Sequence, residues 1–268
     1  RARVRTSGRR PLWVSEGCSP MAFRAVLFDI GDTLWHAADA PPPAKFRRLA
    51  AERAKAFLAS ISMPVKDPAL VARVAWDSLE GAMREARRTD RREPDYAAIA
   101  RDALRARGVE LSLEYAAALM EAIYVSGPEG GKAAYPGARE LLDTLRSRGF
   151  KLGIITNRAF GGERFRDDLK AAGLDIGWDA NVVSVEVGYL KPHPAIFERA
   201  LSDLGETGTR TVMVGNSLAE DIAGAQAFGM ATAWKRSKPD AEGVTPDFTF
   251  DDVSELLDWS VLKGVSVG

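Results

Sequence analysis

Residues Ala22–Asp29 read AFRAVLFD, a short apolar run that ends in a carboxylate and is followed closely by Gly31. A continuous apolar run of this length next to a turn residue is typical of a strand that is buried on both faces. Two similar runs occur later, at Lys151–Thr156 (KLGIIT) and Thr211–Gly215 (TVMVG). We interpret all three runs as buried strands.

Segments with helical spacing separate these runs in the second half of the chain. The expected helices are Pro136–Arg148, Glu163–Ala172, His193–Leu204 and Ala219–Phe228. Further short strands are expected at Asn181–Val185, Ala231–Trp234 and Phe248–Phe250. Strands that alternate with helices predict a parallel sheet with helices on both faces.

Between about Pro41 and Val125 the apolar residues recur at helical spacing, and strand signals are absent. Asp67 and Pro68 are typical of an N-cap and a first helical position, and Ser112 is a second candidate N-cap. Because this block follows the first strand, the sequence predicts an α/β fold, a doubly wound (Rossmann-like) parallel sheet with an inserted all-helical cap domain. The expected core comprises residues 21–36 and 135–260, the cap comprises residues 37–134, and residues 1–20 form a disordered extension.

The composition excludes several classes of protein. The 268 residues contain 37 Lys and Arg against 37 Asp and Glu, which argues against a nucleic-acid partner. One cysteine and two histidines argue against a disulfide scaffold and a multi-histidine metal site. No apolar run approaches the roughly 20 residues that span a bilayer. We therefore expect a cytoplasmic protein without a membrane partner, and the oligomeric state stays open.

Polar residues follow the expected strands, and ligands of open α/β sheets bind beyond the carboxyl ends of the strands. Asp29 could be a nucleophile that forms an aspartyl-phosphate. Thr156 could hold phosphoryl oxygens, and Lys191 could neutralise their charge. Oxygen atoms of Asp29, a loop carbonyl and the loop Asn216–Asp221 suit Mg²⁺.

The chain resembles the haloacid dehalogenase-like (HAD) hydrolase superfamily in four motifs that occur in the expected order. These are FDIGDTL, IITN, GYLKPHPAIFERAL and VGNSLAEDIAGAQAFGM. The string YPGARELLDTLRSRGFKLGIITN also resembles the return to the core after a C1-type helical cap, as in subfamily I. The resemblance covers about residues 22–258 and implies a phosphatase that uses Mg²⁺ and a cap that selects the substrate.

The resemblance also implies roles for individual residues. Asp29 matches the nucleophile, Thr156 the hydroxyl that binds the phosphoryl group, and Lys191 the charge-stabilising lysine. The expected metal ligands are Asp29, the Gly31 carbonyl, Asn216 and Asp221. The expected substrate contacts are Thr33, Asn157 and Trp35, although Trp35 could equally pack the hinge.

Two positions depart from the phosphatase pattern. Gly31 stands where the second aspartate, the general acid and base, is expected, and the next carboxylate is Asp32. Asn216 stands where a magnesium-binding aspartate is expected. Asp32 or water could replace the missing acid, and the expected function is a magnesium-dependent phosphatase that acts on a small phosphorylated metabolite.

Two alternatives stay open. One is a catalytically weak or inactive HAD-fold protein that binds a ligand or a partner. The other is a 2-haloacid dehalogenase, whose enzymes lack the second aspartate and use no metal. However, the aromatic residue and the Ser-Ser-Asn string of those enzymes are absent here.

Overall fold

The computed structural model describes residues 23–37 and 40–263. The extension expected at residues 1–20 lies outside these residues. The described chain divides into two compact units. The core unit contains the residues up to His36, Ala134–Arg158 and the residues from Ala172 onward, and the helical unit contains Ala37–Ala133 and Ala159–Ala171.

The strands are β1 (Ala25–Phe28), β2 (Trp35–His36), β3 (Ala133–Ala134), β4 (Lys151–Thr156), β5 (Ala180–Val183), β6 (Thr211–Gly215), β7 (Ala231–Lys235) and β8 (Phe248–Phe250). The α-helices are α1 (Pro43–Ser60), α2 (Pro68–Arg88), α3 (Tyr96–Arg105), α4 (Leu113–Ala122), α5 (Ala138–Ser147), α6 (Gly162–Ala171), α7 (Ser184–Val187), α8 (Pro194–Leu204) and α9 (Ala223–Gln226). A π-helical turn, Leu218–Ile222, precedes α9, so the helix predicted at Ala219–Phe228 begins in a different geometry. None of the described helices combines the length and the apolar composition needed to cross a bilayer.

Six strands form one sheet in the order β5-β4-β1-β6-β7-β8, and all neighbouring pairs are parallel. The four residues of β1 are fully buried, as expected for a strand covered on both faces. From the central β1 the order runs to β4 and β5 on one side and to β6, β7 and β8 on the other. This confirms the doubly wound sheet and places its switch point at the end of β1, where such folds bind ligands.

Two helices of the helical unit, α2 and α4, begin where the sequence predicts. The Leu70 N–H donates to the Asp67 carboxylate at 2.9 Å, and the Tyr115 N–H donates to the Ser112 hydroxyl at 3.1 Å. Both contacts satisfy backbone donors that the first helical turn leaves without partners.

One helix lies in a different unit from the one expected. The sequence analysis places the helix near Glu163–Ala172 within the core, whereas the structure assigns α6 to the helical unit. The reason is Asp168, which is 2% exposed and accepts hydrogen bonds from the Tyr124 hydroxyl and, at 2.7 Å, from the Gly127 N–H. These partners lie more than 40 residues away in the sequence, so the local pattern could not reveal them.

Candidate active site

Three loops of the core unit meet at the ammonium group of Lys191. Its Nζ donates to Asp29 Oδ1 at 2.7 Å, to Asp221 Oδ1 at 2.7 Å and to the Ile155 carbonyl at 2.9 Å. Asp29 follows β1, Ile155 belongs to β4, and Asp221 belongs to the turn after β6. Lys191 is 1% exposed. The sheet therefore brings together three of the predicted site residues.

Electrostatics explains how this buried ammonium stays charged. Burial favours the neutral amine, but the carboxylates of Asp221 and Asp29 outweigh burial and hold the pKa of Lys191 above its usual value. Burial raises the pKa of Asp221 to about 6, although Lys191 opposes this change. Lys191 is therefore a fixed positive charge at neutral pH, next to the carboxylate that ends β1.

Asp29 is held from two sides. Its Oδ1 accepts from Lys191, and its Oδ2 accepts from the Thr33 hydroxyl at 3.1 Å. Its own N–H donates to the Val214 carbonyl of β6 at 2.9 Å. Thr33, predicted to contact the substrate, is fully buried, and its hydroxyl donates to Asp29. Asp29 is 7% exposed, so its carboxylate is largely shielded from solvent, and the two hydrogen bonds fix its orientation.

The loop after Asp29 contains the two exposed residues Gly31 and Asp32. Asp32 has a φ of 53°, in the left-handed region that L-residues seldom adopt. Its side chain makes no hydrogen bond or ion pair with any residue that the structure describes. A Cβ built on Gly31 meets no atom within 4 Å. The carboxylate offered by the sequence thus stands apart from Asp29, and the position of the expected acid has room for a side chain.

Thr156 and Asn157 end β4 and have different surroundings. The Thr156 hydroxyl makes no hydrogen bond within residues 23–37 and 40–263, so it can donate to a ligand. The Asn157 amide is engaged: its Oδ1 accepts from the Lys191 N–H at 2.7 Å, and its Nδ2 donates to Glu220 Oε2 at 3.0 Å. From the sequence, Glu220 belongs to the loop Asn216–Asp221 and could compensate for Asn216 in magnesium binding; its contact with Asn157 is not expected.

The turn after β6 is built closely around Asp221. The Ser217 N–H donates to Asp221 Oδ2 at 2.9 Å. A Cβ at Gly215 would lie 2.4 Å from the Asp221 carboxyl carbon, so only glycine fits at the end of β6. The Asn216 carbonyl accepts from Trp234 Nε1 at 2.9 Å and from a neighbouring serine hydroxyl at 2.7 Å. These contacts hold the loop Asn216–Asp221 in one conformation, and the sequence of that loop does not indicate them.

The comparison with known protein families agrees with this geometry. Residues 23–229 match the model of the haloacid dehalogenase-like hydrolases. The chain belongs to this family. The HAD hydrolase motifs recognised in the sequence therefore lie at the carboxyl ends of the strands, around Lys191.

Curated relatives of this HAD hydrolase include phosphatases. The chain is 37% identical over 124 residues to the pyrimidine 5′-nucleotidase YjjG of Escherichia coli, a match that covers 45% of this chain and 54% of the relative. It is 39% identical over 101 residues to the glyceraldehyde 3-phosphate phosphatase of Pyrococcus abyssi, covering 37% and 41% of the two chains. The chain thus spans about half of the length of these relatives, or less.

Solved structures resemble the whole fold. A 2-haloacid dehalogenase from Pseudomonas syringae has a TM-score of 0.58 and 26% identity, and the match covers 90% of this chain and 98% of that chain. A HAD phosphatase from Thermococcus onnurineus has a TM-score of 0.55 and 24% identity, covering 88% and 96%. Because the Thermococcus onnurineus protein is only 24% identical, its similarity to this chain shows the fold and nothing about the activity.

Magnesium is the metal that the HAD fold implies for a phosphatase. No group of three or more His, Cys, Asp or Glu side chains that could hold a metal ion occurs in the described part of the chain. Both oxygens of Asp221 accept hydrogen bonds, from Lys191 and from Ser217. The Asn216 side chain makes no hydrogen bond to a described residue. Both oxygens of Asp29 accept hydrogen bonds as well, from Lys191 and from Thr33, so hydrogen bonding does not separate the two carboxylates. Asp29, the Gly31 carbonyl, Asn216 and Asp221 are all oxygen donors of the kind that Mg²⁺ takes.

Trp35 packs inside the core unit of this HAD hydrolase. It is 3% exposed, and the Arg158 guanidinium lies 5.4 Å from the centre of its ring. The adjacent His36 ring lies 4.4 Å from the ring of Tyr135. Of the two roles expected for Trp35, these contacts agree with packing.

Proposed function

We propose that this chain is a phosphatase that acts on a small phosphorylated substrate, with Asp29 as the nucleophile. The observation that carries the proposal is the Asp29 carboxylate at the end of β1, 2.7 Å from the buried Lys191 ammonium and 3.1 Å from the Thr33 hydroxyl. The curated relatives named above as a nucleotidase and a phosphatase support the same class of reaction. Which phosphorylated compound is cleaved is the finer question.

The proposed reaction has two steps. A carboxylate oxygen of Asp29 attacks phosphorus, the bond from phosphorus to the leaving oxygen breaks, and an aspartyl-phosphate forms. Water then attacks this intermediate, releases inorganic phosphate and restores the carboxylate. Lys191 orients the Asp29 carboxylate before the attack and offsets negative charge on the phosphoryl oxygens during it. The Thr156 hydroxyl donates a hydrogen bond to one of these oxygens.

Magnesium is part of the proposal as a weakly held cofactor. Asp29, the Gly31 carbonyl, Asn216 and Asp221 would supply the oxygen donors, and Asp221 also accepts a hydrogen bond from the Lys191 ammonium. When bound, the ion supplies positive charge that offsets the charge of the phosphoryl group. With asparagine at 216 the site has one carboxylate fewer, so we expect weaker binding than in the usual phosphatase pattern.

The loop at Gly31 limits the choice of leaving group. Gly31 cannot protonate a departing oxygen, and Asp32 is exposed and makes no contact with Asp29 among the described residues. General acid catalysis contributes roughly 10²- to 10⁴-fold in rate. We therefore propose substrates whose leaving group departs without a proton, such as acyl phosphates and aryl phosphates.

Carbon–halogen hydrolysis is the second candidate, favoured by one observation. The 2-haloacid dehalogenase from Pseudomonas syringae is 26% identical to this chain and matches 90% of it. Release of phosphate from acetyl phosphate and para-nitrophenyl phosphate, and of chloride from 2-chloropropionate, separates the two activities when each is measured with magnesium and with chelator. Phosphate release that falls in chelator supports the proposal. Chloride release without phosphate release overturns it, and the absence of both leaves the binding protein as the better interpretation.

A further inference from the structure

The side-chain amide of Asn157 hydrogen-bonds to both main-chain groups of Lys191, the N–H and the carbonyl. Its Oδ1 accepts from the Lys191 N–H at 2.7 Å, and its Nδ2 donates to the Lys191 carbonyl at 3.3 Å. Because one end of an amide accepts and the other donates, only one orientation of Asn157 satisfies both groups. The loop after β4 therefore fixes the backbone of the residue whose ammonium lies against Asp29.

Glu220 completes this arrangement from a third loop. Its Oε2 accepts from Asn157 Nδ2 at 3.0 Å, a contact with an ionised acceptor and so stronger than a bond between neutral groups. Its own N–H donates to the Ser217 hydroxyl at 2.9 Å, which fixes Glu220 at the start of the π-helical turn. The same turn carries Asp221, the second partner of the Lys191 ammonium. Glu220 and Asp221 thus hold Lys191 by two routes, one through its main chain and one through its side chain.

We propose that Glu220 and Asn157 are positioning residues that hold Lys191 in place for the reaction at Asp29. Asn157 then acts through Lys191 and does not bind the substrate, in contrast to the role expected from the sequence. This inference rests on the proposed phosphatase function for its kinetic consequence, but the contact chain itself does not depend on that function. A displacement of about 1 Å at a reacting group can cost on the order of 10²-fold in rate, so loosening Lys191 should affect kcat.

Glu220 could instead serve only to stabilise the helical turn, and this role predicts a different result. An acidic side chain in the first turn of a helix stabilises that turn through the helix dipole. In that role Glu220→Ala would lower the melting temperature and leave kcat unchanged. Glu220→Gln separates the two roles, because its amide oxygen can still accept from Asn157 while the charge is lost.

The kinetic test uses para-nitrophenyl phosphate and the variants Glu220→Ala, Glu220→Gln, Asn157→Ala and Glu220→Ala/Asn157→Ala. Glu198→Ala is the matched control, since Glu198 is exposed on α8 and makes no hydrogen bond or ion pair with a described residue. We expect Glu220→Ala to lower kcat about tenfold with little change in KM, and Glu220→Gln to restore most of the loss. The double variant should be no slower than Asn157→Ala, because both changes break one chain of contacts. A wild-type kcat in Glu220→Ala, or a rise in KM alone in Asn157→Ala, would overturn the proposal.

A second readout needs no turnover. Hydrogen exchange followed by NMR reports the protection of the Lys191 amide, which donates to Asn157. We expect protection to fall at least about tenfold in Glu220→Ala and Asn157→Ala, and to stay at the wild-type level in Glu198→Ala. Wild-type protection in all three variants would show that the contact chain does not hold Lys191. If the wild-type chain hydrolyses no phosphate ester, the proposed function fails, and the exchange result still decides whether Glu220 and Asn157 hold Lys191.

Discussion

Exchanging the two residues Gly31 and Asp32, as Gly31→Asp together with Asp32→Gly, places a carboxyl group where HAD phosphatases have their general acid. The structure has room for it, because a Cβ at Gly31 meets no atom within 4 Å and its φ lies outside the left-handed region. Glycine at position 32 relieves the left-handed φ of 53°, a gain of about 1 kcal/mol. The exchange removes one glycine and adds another, so the freedom of the unfolded chain is nearly unchanged, and the free energy of unfolding should rise by about 1 kcal/mol.

The rate effect should depend on the leaving group. A positioned acid contributes roughly 10²- to 10⁴-fold in rate. At 1.36 kcal/mol for each factor of ten, this corresponds to about 3–5 kcal/mol of the barrier. An alkyl phosphate, whose alkoxide departs poorly, should gain most of this amount. An aryl phosphate should gain much less, since its leaving group needs no proton.

The assay is kcat/KM for glycerol phosphate and para-nitrophenyl phosphate. This ratio reflects the steps up to the first irreversible one, here departure of the leaving group, so it reports the protonation directly. The matched control is Gly31→Asn with Asp32→Gly, which has nearly the same shape and no acid. We expect a selective rise for glycerol phosphate in the aspartate variant. A folded aspartate variant that is no faster than the asparagine control would refute the reasoning about Gly31.

Three further predictions follow from the buried charges and the donor set. Lys191→Met leaves Asp29 and Asp221 without their shared cation, so urea unfolding near pH 8 should give a free energy about 3–5 kcal/mol below that of the wild type. Lys191 opposes the rise of the Asp221 pKa, so its removal should raise that pKa further. Acidification to pH 5 should therefore stabilise the folded variant more than the folded wild type and shrink the deficit, whereas an equal deficit at both pH values would be evidence against this. Asn216→Asp adds a carboxylate to the proposed donor set and should tighten magnesium binding at least about tenfold in calorimetry, whereas unchanged affinity would remove residue 216 from that set. In the helical unit, burial and a hydrogen bond to Glu93 raise the pKa of Tyr96. The contribution of Tyr96 to the free energy of unfolding is therefore complete below about pH 10 and declines above that pH. Tyr96→Phe should flatten this decline in urea titrations, and an identical decline in the variant would contradict the role of Tyr96.

The sequence predicts the sheet well because each strand is marked by a local signal, a short apolar run. Lys151–Thr156 and Thr211–Gly215 are strands with the same bounds in the structure as in the sequence analysis. The structure groups α6 with the helical unit, where Asp168 accepts hydrogen bonds from Tyr124 and Gly127, and the sequence pattern does not indicate this grouping. Periodicity identifies a helix and its buried face, but it does not say which neighbour covers that face.

The site is predictable to a similar depth. Asp29 directly follows β1, so the rule that ligands bind beyond strand ends is enough to find it. Lys191 lies beyond both β5 and the short helix α7, and its place at the site is shown by its contacts with Asp29 and Asp221. The contact of Asn157 with Glu220 joins residues 63 positions apart, and no local pattern signals it. Asp32 is exposed and has a left-handed backbone angle, and one sequence reveals neither property. The loops that carry the site can be located in the sequence, but the contacts between these loops are known only from the structure.

The central claim is that Asp29 is the nucleophile of a phosphatase. The most direct test compares magnesium-dependent hydrolysis of para-nitrophenyl phosphate by the wild type, Asp29→Asn and the surface control Glu198→Gln, with circular dichroism to confirm that each is folded. We expect turnover by the wild type and the control, and none above background by Asp29→Asn. Undiminished turnover in a folded Asp29→Asn variant would contradict the claim.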